Sequence, residues 1–179
     1  PQVAHGIPGD RALEPGDLVN IDVSAERDGV FGDTGGSFAV PPARRGHETL
    51  LRDGRAALSA GVGAVGAGKP FNRIGRAIEA SVRRHNRTLL LNLQGHGTGG
   101  ALHEPPAHLP AHHVPSDRRT MRHGQVFTIE PFVSTGATWA YDTGDGWTLT
   151  TDPRYATVQC EHTVVATRSG AIVLTRAPQ

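Results

Sequence analysis

The chain has 179 residues, enough for one domain with a buried core. Eighteen Lys and Arg residues stand against 17 Asp and Glu residues, and the resulting net charge of +1 gives no bulk field to hold nucleic acid or an anionic membrane. No apolar run approaches the roughly 18 residues needed to cross a bilayer, so no membrane segment is expected. The one cysteine, Cys160, cannot form an intrachain disulfide, which excludes a disulfide-stapled mini-protein and allows a reducing compartment.

A β-hairpin is predicted first. Residues 18–24 alternate apolar and polar side chains, which is typical of a half-buried strand, and residues 30–38 form the return strand after a turn at 26–29. A four-residue loop would place Asp22 directly opposite Asp33, and two bare carboxylates about 5 Å apart repel each other. A cation bound between them would remove this repulsion.

Two helices and a series of strands follow. Apolar residues at spacings of three and four predict helices at about 46–59 and from 71 onward, with a flexible connector at 61–68. Four further strands are predicted at 88–93, 125–133, 156–167 and 171–174. A Gly-rich turn is expected at Gly95, and the prolines of 105–115 predict an irregular segment. The fold class is therefore α+β, with residues 1–179 expected to form one domain.

Five side chains of metal-binding type lie on these strands or just past a strand end: Asp22, Asp33, His96, Glu130 and Glu161. Each of them alone has an ordinary structural explanation. However, a carboxylate inside an apolar strand, as Glu130 is in segment 127–131, is costly unless it is paired or metal-bound. Four carboxylates and one imidazole suit two divalent ions of borderline hardness better than one.

Seven motifs occur in one order along the chain: His5-Gly6-Ile7-Pro8, Val19-Asn20-Ile21-Asp22-Val23, Gly32-Asp33-Thr34, Gly95-His96-Gly97-Thr98-Gly99 with His103-Glu104-Pro105-Pro106, Phe127-Thr128-Ile129-Glu130-Pro131, Asp145-Gly146-Trp147-Thr148 and Glu161-His162-Thr163. This series resembles the type I methionine aminopeptidases, metallopeptidases of the pita-bread fold. The likeness runs from His5 to about Leu174. It implies a curved antiparallel sheet with helices on its outer face. Members of the family usually have several dozen further residues before the first motif, and nothing corresponds to them in this sequence.

The resemblance also implies a dinuclear metal site. Asp22 would chelate one cation, and His96 and Glu130 would bind the other. Asp33 and Glu161 would bridge both cations, which the sequence leaves open as Co, Mn, Fe or Zn. A hydroxide shared by the two cations would attack the first peptide bond of the substrate. Glu130 would also transfer protons as general base and acid.

The substrate contacts follow from the same likeness. His5 and His103 would contact the substrate amide and carbonyl and stabilise the tetrahedral intermediate. Trp147 would line the mouth of the methionine pocket, and Leu102 would form an apolar wall. The implied partners are N-termini of nascent polypeptides with a small second residue, with transient ribosome contact left open. A cytoplasmic monomer that binds neither nucleic acid nor membrane is expected.

Two alternatives use the same fold. Xaa-Pro aminopeptidases and prolidases keep the five ligands, but they typically lack the His-Gly-Ile-Pro opening and the Asp-Gly-Trp motif. They also carry Glu-Asp at the last ligand, where this chain has Glu161 followed by His162 and Thr163. The second alternative is a non-catalytic module that binds peptides. Such relatives have typically lost ligands, and this chain has lost none.

Overall fold

The computed structural model describes residues 2–176, which form thirteen short strands and two helices. In chain order these elements are β1 Gln2–Ala4, β2 Leu18–Arg27, β3 Val30–Ala39, α1 His47–Ala64, α2 Asn72–Arg84, β4 Thr88–Leu89, β5 Gln94–Gly97, β6 Glu104–Pro110, β7 Val126–Ile129, β8 Phe132–Ser134, β9 Tyr141–Asp142, β10 Leu149–Thr150, β11 Thr157–Gln159, β12 His162–Thr167 and β13 Gly170–Val173. The predicted α+β class is confirmed.

All described strand pairs are antiparallel. The largest sheet has the order β13-β12-β7-β5-β6, and two three-stranded sheets have the orders β11-β8-β4 and β1-β10-β9. The β2–β3 hairpin crosses the junction of the first two sheets. There the Glu161 N–H donates to the Gly35 carbonyl at 2.8 Å, and the Thr163 hydroxyl donates to the Asp33 carbonyl at 2.7 Å. These bonds attach the hairpin to the strands that carry the later motifs.

The hairpin has a different register from the one predicted. Asp22 pairs with Gly35, and Asp33 pairs with Ser24, so the two carboxylates are diagonal rather than direct neighbours. The reason is the turn, which consists of two residues and not four. Asp28 and Gly29 both have positive φ, at 53° and 80°, as the tight turns that match the twist of paired strands require.

The two helices pack together on one side of the sheets and bury the main core. Their inward faces carry apolar residues at helical spacing, namely Leu50, Leu51, Ala57 and Leu58 on α1 and Ile74, Ile78 and Val82 on α2. The strands add Phe127, Ile129, Val158 and Val164 from the opposite side of this core. Within the described residues, neither helix is long and apolar enough to span a membrane.

Helix α1 continues five residues beyond its predicted end at residue 59. The connector predicted at 61–68 is therefore wrong in its first four residues, which are helical. The glycine at 61 serves packing rather than a turn, because a Cβ there would lie 2.9 Å from the Ile78 side chain and 3.1 Å from the Ile129 side chain. Close contact between α1 and α2 thus requires a glycine at this position.

Four predicted strands have different bounds. The strand predicted at 88–93 ends at Leu89, and the turn predicted at Gly95 is instead part of β5. The strands predicted at 125–133 and 156–167 are each interrupted, at Glu130–Pro131 and at Cys160–Glu161, and the last runs from 170 to 173. The predictions located the strands correctly along the chain. They missed the interruptions at 130–131 and 160–161 because apolar residues continue across them.

Of the segment predicted to be irregular, 105–115, the first six residues instead belong to strand β6, whereas 111–115 are irregular as predicted. This strand lies at the edge of the five-stranded sheet and pairs only with β5 among the described strands. Proline cannot donate to a ladder, but an edge strand has one side on which no donor is needed. The prolines therefore excluded a helix correctly without excluding a strand.

Gly75→Ala is expected to destabilise the fold, although alanine is the better helix former. A Cβ at this position in α2 would overlap the backbone carbonyl of His112, which cannot rotate away. The expected loss is about 1–3 kcal/mol of unfolding free energy, measured by urea denaturation. Gly63→Ala is the matched control, because nothing lies within 4 Å of a Cβ there, and it is expected to stabilise α1 by about 0.5–1 kcal/mol. Equal effects of the two substitutions would contradict this packing.

Candidate metal centre

One cavity brings together all five predicted metal-binding side chains. It has a volume of about 540 Å³, and its lining includes Asp22, Asp33, His96, Glu130 and Glu161. The cavity lies on the face of the sheets opposite the helices. The side chains of Val158 and Cys160 point toward Gly54 of α1. Because successive side chains of an extended chain point to opposite faces, the next residue, Glu161, points into the cavity.

The five side chains form one continuous cluster. Ligand atoms of Asp22, Asp33 and Glu161 all lie within 4.8 Å of one another. His96 Nε2 lies 3.6 Å from Asp33 Oδ2 and 3.7 Å from Glu130 Oε1, which extends the cluster to the fourth carboxylate. Residues separated by up to 139 positions in the chain therefore converge on one point of the cavity.

Backbone breaks position the two glutamates. Glu130 follows β7 directly and precedes Pro131, and Glu161 lies between β11 and β12. Thr128, on the same face two residues before Glu130, donates its hydroxyl to Glu130 Oε1 at 3.0 Å and accepts the His96 N–H at 3.0 Å. One threonine thus orients both a carboxylate and the strand that carries the imidazole.

A hydrogen bond at Nδ1 fixes the orientation of the His96 imidazole. His96 Nδ1 lies 3.0 Å from the Gly97 carbonyl oxygen, which can accept only if Nδ1 carries the proton. Nε2 then faces Asp33 and Glu130 with its lone pair, as a metal-binding imidazole requires. Asp33 is fixed in turn, because the Ser24 hydroxyl donates to its Oδ1 at 3.0 Å.

A buried amide, which the sequence analysis missed, also contacts the cluster. Gln159 is 1% exposed, and its Nε2 donates to Glu161 Oε2 at 2.9 Å and to Asp22 Oδ2 at 3.3 Å. Its amide oxygen accepts from Asn20 Nδ2 at 2.8 Å. Gln159 lies two residues before Glu161, so strand periodicity places both side chains on one face.

The carboxylates are crowded enough to retain protons. Burial raises the pKa of Glu130 to about 8. Burial, followed by the charges of Glu130, Asp22 and Asp33, raises the pKa of Glu161 to about 10. For His96 burial alone would lower the pKa, but the Asp33 carboxylate, the Gly97 carbonyl and the Glu130 charge together raise it. A bound cation would therefore stabilise the ionised form of these carboxylates.

A divalent metal ion would supply the positive charge that these carboxylates lack. Glu161 Oε1 is buried and has no hydrogen-bond partner among the described residues, which is costly for a carboxylate unless a cation contacts it. The donors are four carboxylates and one imidazole, a set suited to divalent ions of borderline hardness. The residues present are therefore compatible with a metal site.

The metal-free protein is expected to lose stability as the pH rises. The folded pKa values of Glu130 and Glu161 lie above their ordinary value of 4.5, so the folded chain retains protons that the unfolded chain releases. The stabilisation is complete below about pH 4.5 and is lost progressively toward pH 8 and above. Differential scanning fluorimetry in chelator should show Tm falling between about pH 5 and pH 8, each 1 kcal/mol corresponding to roughly 2–4 °C. A constant or rising Tm would contradict the crowding of these carboxylates.

Three of the four predicted substrate-contact residues line the same cavity: His5, Leu102 and His103. The His103 ring lies with its centroid 3.9 Å from that of His96. Trp147 does not line the cavity. It lies between β9 and β10 with 67% of its surface exposed, so its place at the mouth of a pocket stays a prediction.

Comparison with known proteins identifies the family. The profile of metallopeptidase family M24 matches residues 1–168. The chain belongs to this family. A curated methionine aminopeptidase of Staphylococcus epidermidis is 39% identical over 176 residues, covering 98% of this chain and 70% of that protein. The resemblance stated from the seven motifs is therefore confirmed, and M24 membership implies dependence on divalent metal ions.

Solved structures confirm the pita-bread fold of this M24 chain. The crystal structure of methionine aminopeptidase from Rickettsia prowazekii superposes with a TM-score of 0.92 at 32% identity, over 98% of this chain and 71% of that one. Prolidase from Pyrococcus furiosus superposes with a TM-score of 0.74 at 23% identity, over 98% of this chain and 46% of that one. At that identity the likeness to prolidase shows the fold alone.

Proposed function

We propose that this chain removes the N-terminal methionine from polypeptides whose second residue is small, in a reaction that depends on two divalent cations. The observation that carries the proposal is the convergence of four carboxylates and one imidazole in a single cavity. The two relatives described above at 39% and 32% identity are methionine aminopeptidases, which favours this substrate over the Xaa-Pro peptides of prolidases.

The cavity residues would divide the two cations between them. Asp22 would hold one cation, and His96 and Glu130 would hold the other. Asp33 and Glu161 would contact both, consistent with their central place in the cluster. When bound, divalent cations such as Co, Mn, Fe or Zn polarise a carbonyl and lower the pKa of water toward neutrality.

Glu130 would move protons during hydrolysis. Its pKa of about 8 in the metal-free cavity shows how strongly burial favours the protonated form, and a nearby cation would lower that value. A carboxyl poised near neutral pH accepts a proton from the attacking water and delivers it to the departing amine. Thr128 keeps Oε1 of Glu130 directed toward the cavity through its hydroxyl.

His103 and His5 would stabilise the substrate rather than bind metal. Burial, followed by the charge that His96 carries when it is protonated, holds the pKa of His103 below its ordinary value. A neutral imidazole then donates one N–H to the substrate carbonyl oxygen, on which negative charge develops. His5, across the same cavity, would contact the substrate amide, and Leu102 would contact the apolar methionine side chain.

The cellular setting is part of the same proposal. The substrates would be the N-termini of nascent polypeptides in the cytoplasm, met during transient contact with the ribosome, and the enzyme would act as a monomer.

A peptide assay tests the activity. The purified chain, loaded separately with Mn, Co, Fe or Zn, is expected to release methionine from a Met-Ala peptide and to leave an Ala-Pro peptide intact. Cleavage of the Xaa-Pro peptide alone would assign the chain to the prolidase-like alternative. Failure on both peptides, with metal bound, would favour a peptide-binding module.

A further inference from the structure

Positive charge is concentrated on the helical side of the molecule. Residues 44–87 contain ten Arg and Lys residues against three Asp and Glu residues, a net charge of +7. The rest of the chain carries eight against 14, a net charge of −6. The overall value of +1 therefore conceals two oppositely charged parts, the helical layer and the part that holds most of the acidic cavity.

Two of the three acidic side chains of the helical layer, Asp53 and Glu79, are already paired, and the third, Glu48, is exposed in the first turn of α1. Asp53 is buried and paired with Arg87 at 2.9 Å. Glu79 pairs with Arg83 and also accepts the His113 N–H at 3.1 Å. Within residues 44–87, the exposed basic side chains that make no ion pair are Arg44, Arg45, Arg55, Lys69, Arg73, Arg76 and Arg84.

The arginines of α2 form one stripe. Arg73 and Arg76 are three residues apart, and Arg84 lies three turns beyond Arg73, so all three project from the same face over about 16 Å. Duplex nucleic acid carries roughly one negative charge per 1.7 Å of axis, so a stripe of this length faces several phosphates. Guanidinium groups also match phosphate oxygens in bidentate geometry.

Helix stability does not account for this stripe. Arg73 lies in the first turn of α2, where the helix dipole disfavours positive charge and where no acidic residue is present. Arg73 and Arg76 are also like charges at a spacing at which like charges destabilise a helix. Arg84 lies in the last turn, where the dipole favours positive charge, so the part of the stripe that is unfavourable for the helix is Arg73 and Arg76.

The exposed side chains and the helix packing of this face favour RNA over an anionic membrane or DNA as its partner. None of the exposed large apolar side chains in the described residues falls within 44–87, so nothing on this face can anchor in a membrane. Ile78 of α2 packs tightly against Gly61 of α1, so the two helices lie side by side and neither protrudes as a single reading helix would for a DNA major groove. A basic face formed by two adjacent helices can lie across the wide, shallow minor groove of double-helical RNA and contact its phosphates.

Contrary to the expectation of no nucleic-acid binding, which rested on the net charge of the whole chain, we propose that the outer face of α1 and α2 binds the phosphate backbone of double-helical RNA, without reading its sequence. The bound RNA would lie on the side opposite the cavity, so substrate and RNA are held at the same time. This binding is independent of the proposed peptidase activity.

Fluorescence anisotropy with a labelled RNA hairpin carrying a stem of about 16 base pairs tests the proposal. We expect a Kd on the order of 10⁻⁵ M near physiological salt, weakening linearly on a log–log plot as salt increases. Arg73→Glu with Arg76→Glu should weaken binding at least about tenfold and lower the salt slope by about two. The same variant should unfold at an equal or higher Tm, because it places negative charge at the start of α2.

Arg27→Glu with Arg154→Glu is the matched control, with the same change of net charge outside the helical layer and an expected change in affinity of less than about twofold. Equal weakening by both double variants would overturn the proposal, as would absence of binding at low salt. Equal binding to a DNA duplex, or to phosphatidylglycerol vesicles, would overturn the assignment to RNA. Methionine release should stay unchanged in the Arg73/Arg76 variant, so failure here is distinguishable from failure of the peptidase proposal.

Discussion

Glu130→Gln is expected to lower kcat for methionine release by about 10²–10⁴-fold, the usual contribution of a positioned general base. Glutamine keeps the shape of the side chain and can still accept the Thr128 hydroxyl, which bonds Glu130 Oε1 at 3.0 Å. It cannot take up or deliver a proton at neutral pH. Steady-state kinetics on a Met-Ala peptide, with metal in excess, should therefore show the loss in kcat with a smaller change in KM.

The matched control is Glu48→Gln, the same chemical change at an exposed carboxylate in the first turn of α1. It is expected to leave kcat unchanged. A Glu130→Gln enzyme with nearly full kcat would show that the proton is carried by another group.

Glu161→Gln is expected to have opposite effects on activity and on stability. Glutamine replaces one carboxylate oxygen with an NH2 group and removes the negative charge of a side chain whose ligand atom lies within 4.8 Å of those of Asp22 and Asp33. Methionine release should fall at least about 100-fold, since even residues that only support a metal ligand are worth 10–100-fold. Calorimetric titration with Mn²⁺ should show weaker binding in parallel.

The metal-free Glu161→Gln variant should nevertheless be more stable than the parent chain at about pH 8 and equally stable near pH 4. The parent must protonate Glu161 to fold, because its pKa is about 10, and glutamine removes that requirement. A gain of at least about 1 kcal/mol corresponds to roughly 2–4 °C in Tm. A variant that is less stable than the parent in chelator would contradict the proposed state of this carboxylate.

The sequence was sufficient to locate the hairpin and the five candidate metal ligands that line one cavity, because strand alternation is a local property. It gave the wrong hairpin register, since register depends on whether Asp28 and Gly29 alone can form the turn. The correct register would have placed Ser24 opposite Asp33 and shown the hydroxyl that orients its carboxylate. Turn length is thus the missing information, although the Asp28-Gly29 pair is itself a signal for a two-residue turn with positive φ at both positions.

Glycine was the least reliable signal for the fold. Gly61 and Gly95 indicate a connector and a turn when read locally, yet both lie inside regular elements. A Cβ at Gly95 would come 2.6 Å from the Thr128 carbonyl oxygen, so the residue is needed for close strand contact. Such contacts join distant segments and leave no local pattern.

The residues that support the site were missed for a related reason. Gln159 and Thr128 are ordinary polar residues in sequence, and their roles depend on which side chains the sheets bring beside them. Each lies two positions before a glutamate of the cluster and therefore on the same strand face. That spacing was the one available signal.

The metal content of the chain tests the central claim most directly. After loading with Mn²⁺ and removal of free metal, elemental analysis should find about two ions per parent chain. The Asp33→Asn variant should retain fewer, because Asp33 lies at the centre of the cluster, 3.6 Å from His96 and within 4.8 Å of Asp22 and Glu161 ligand atoms. A parent chain that retains no metal, or an Asp33→Asn variant that retains as much as the parent, would contradict the account.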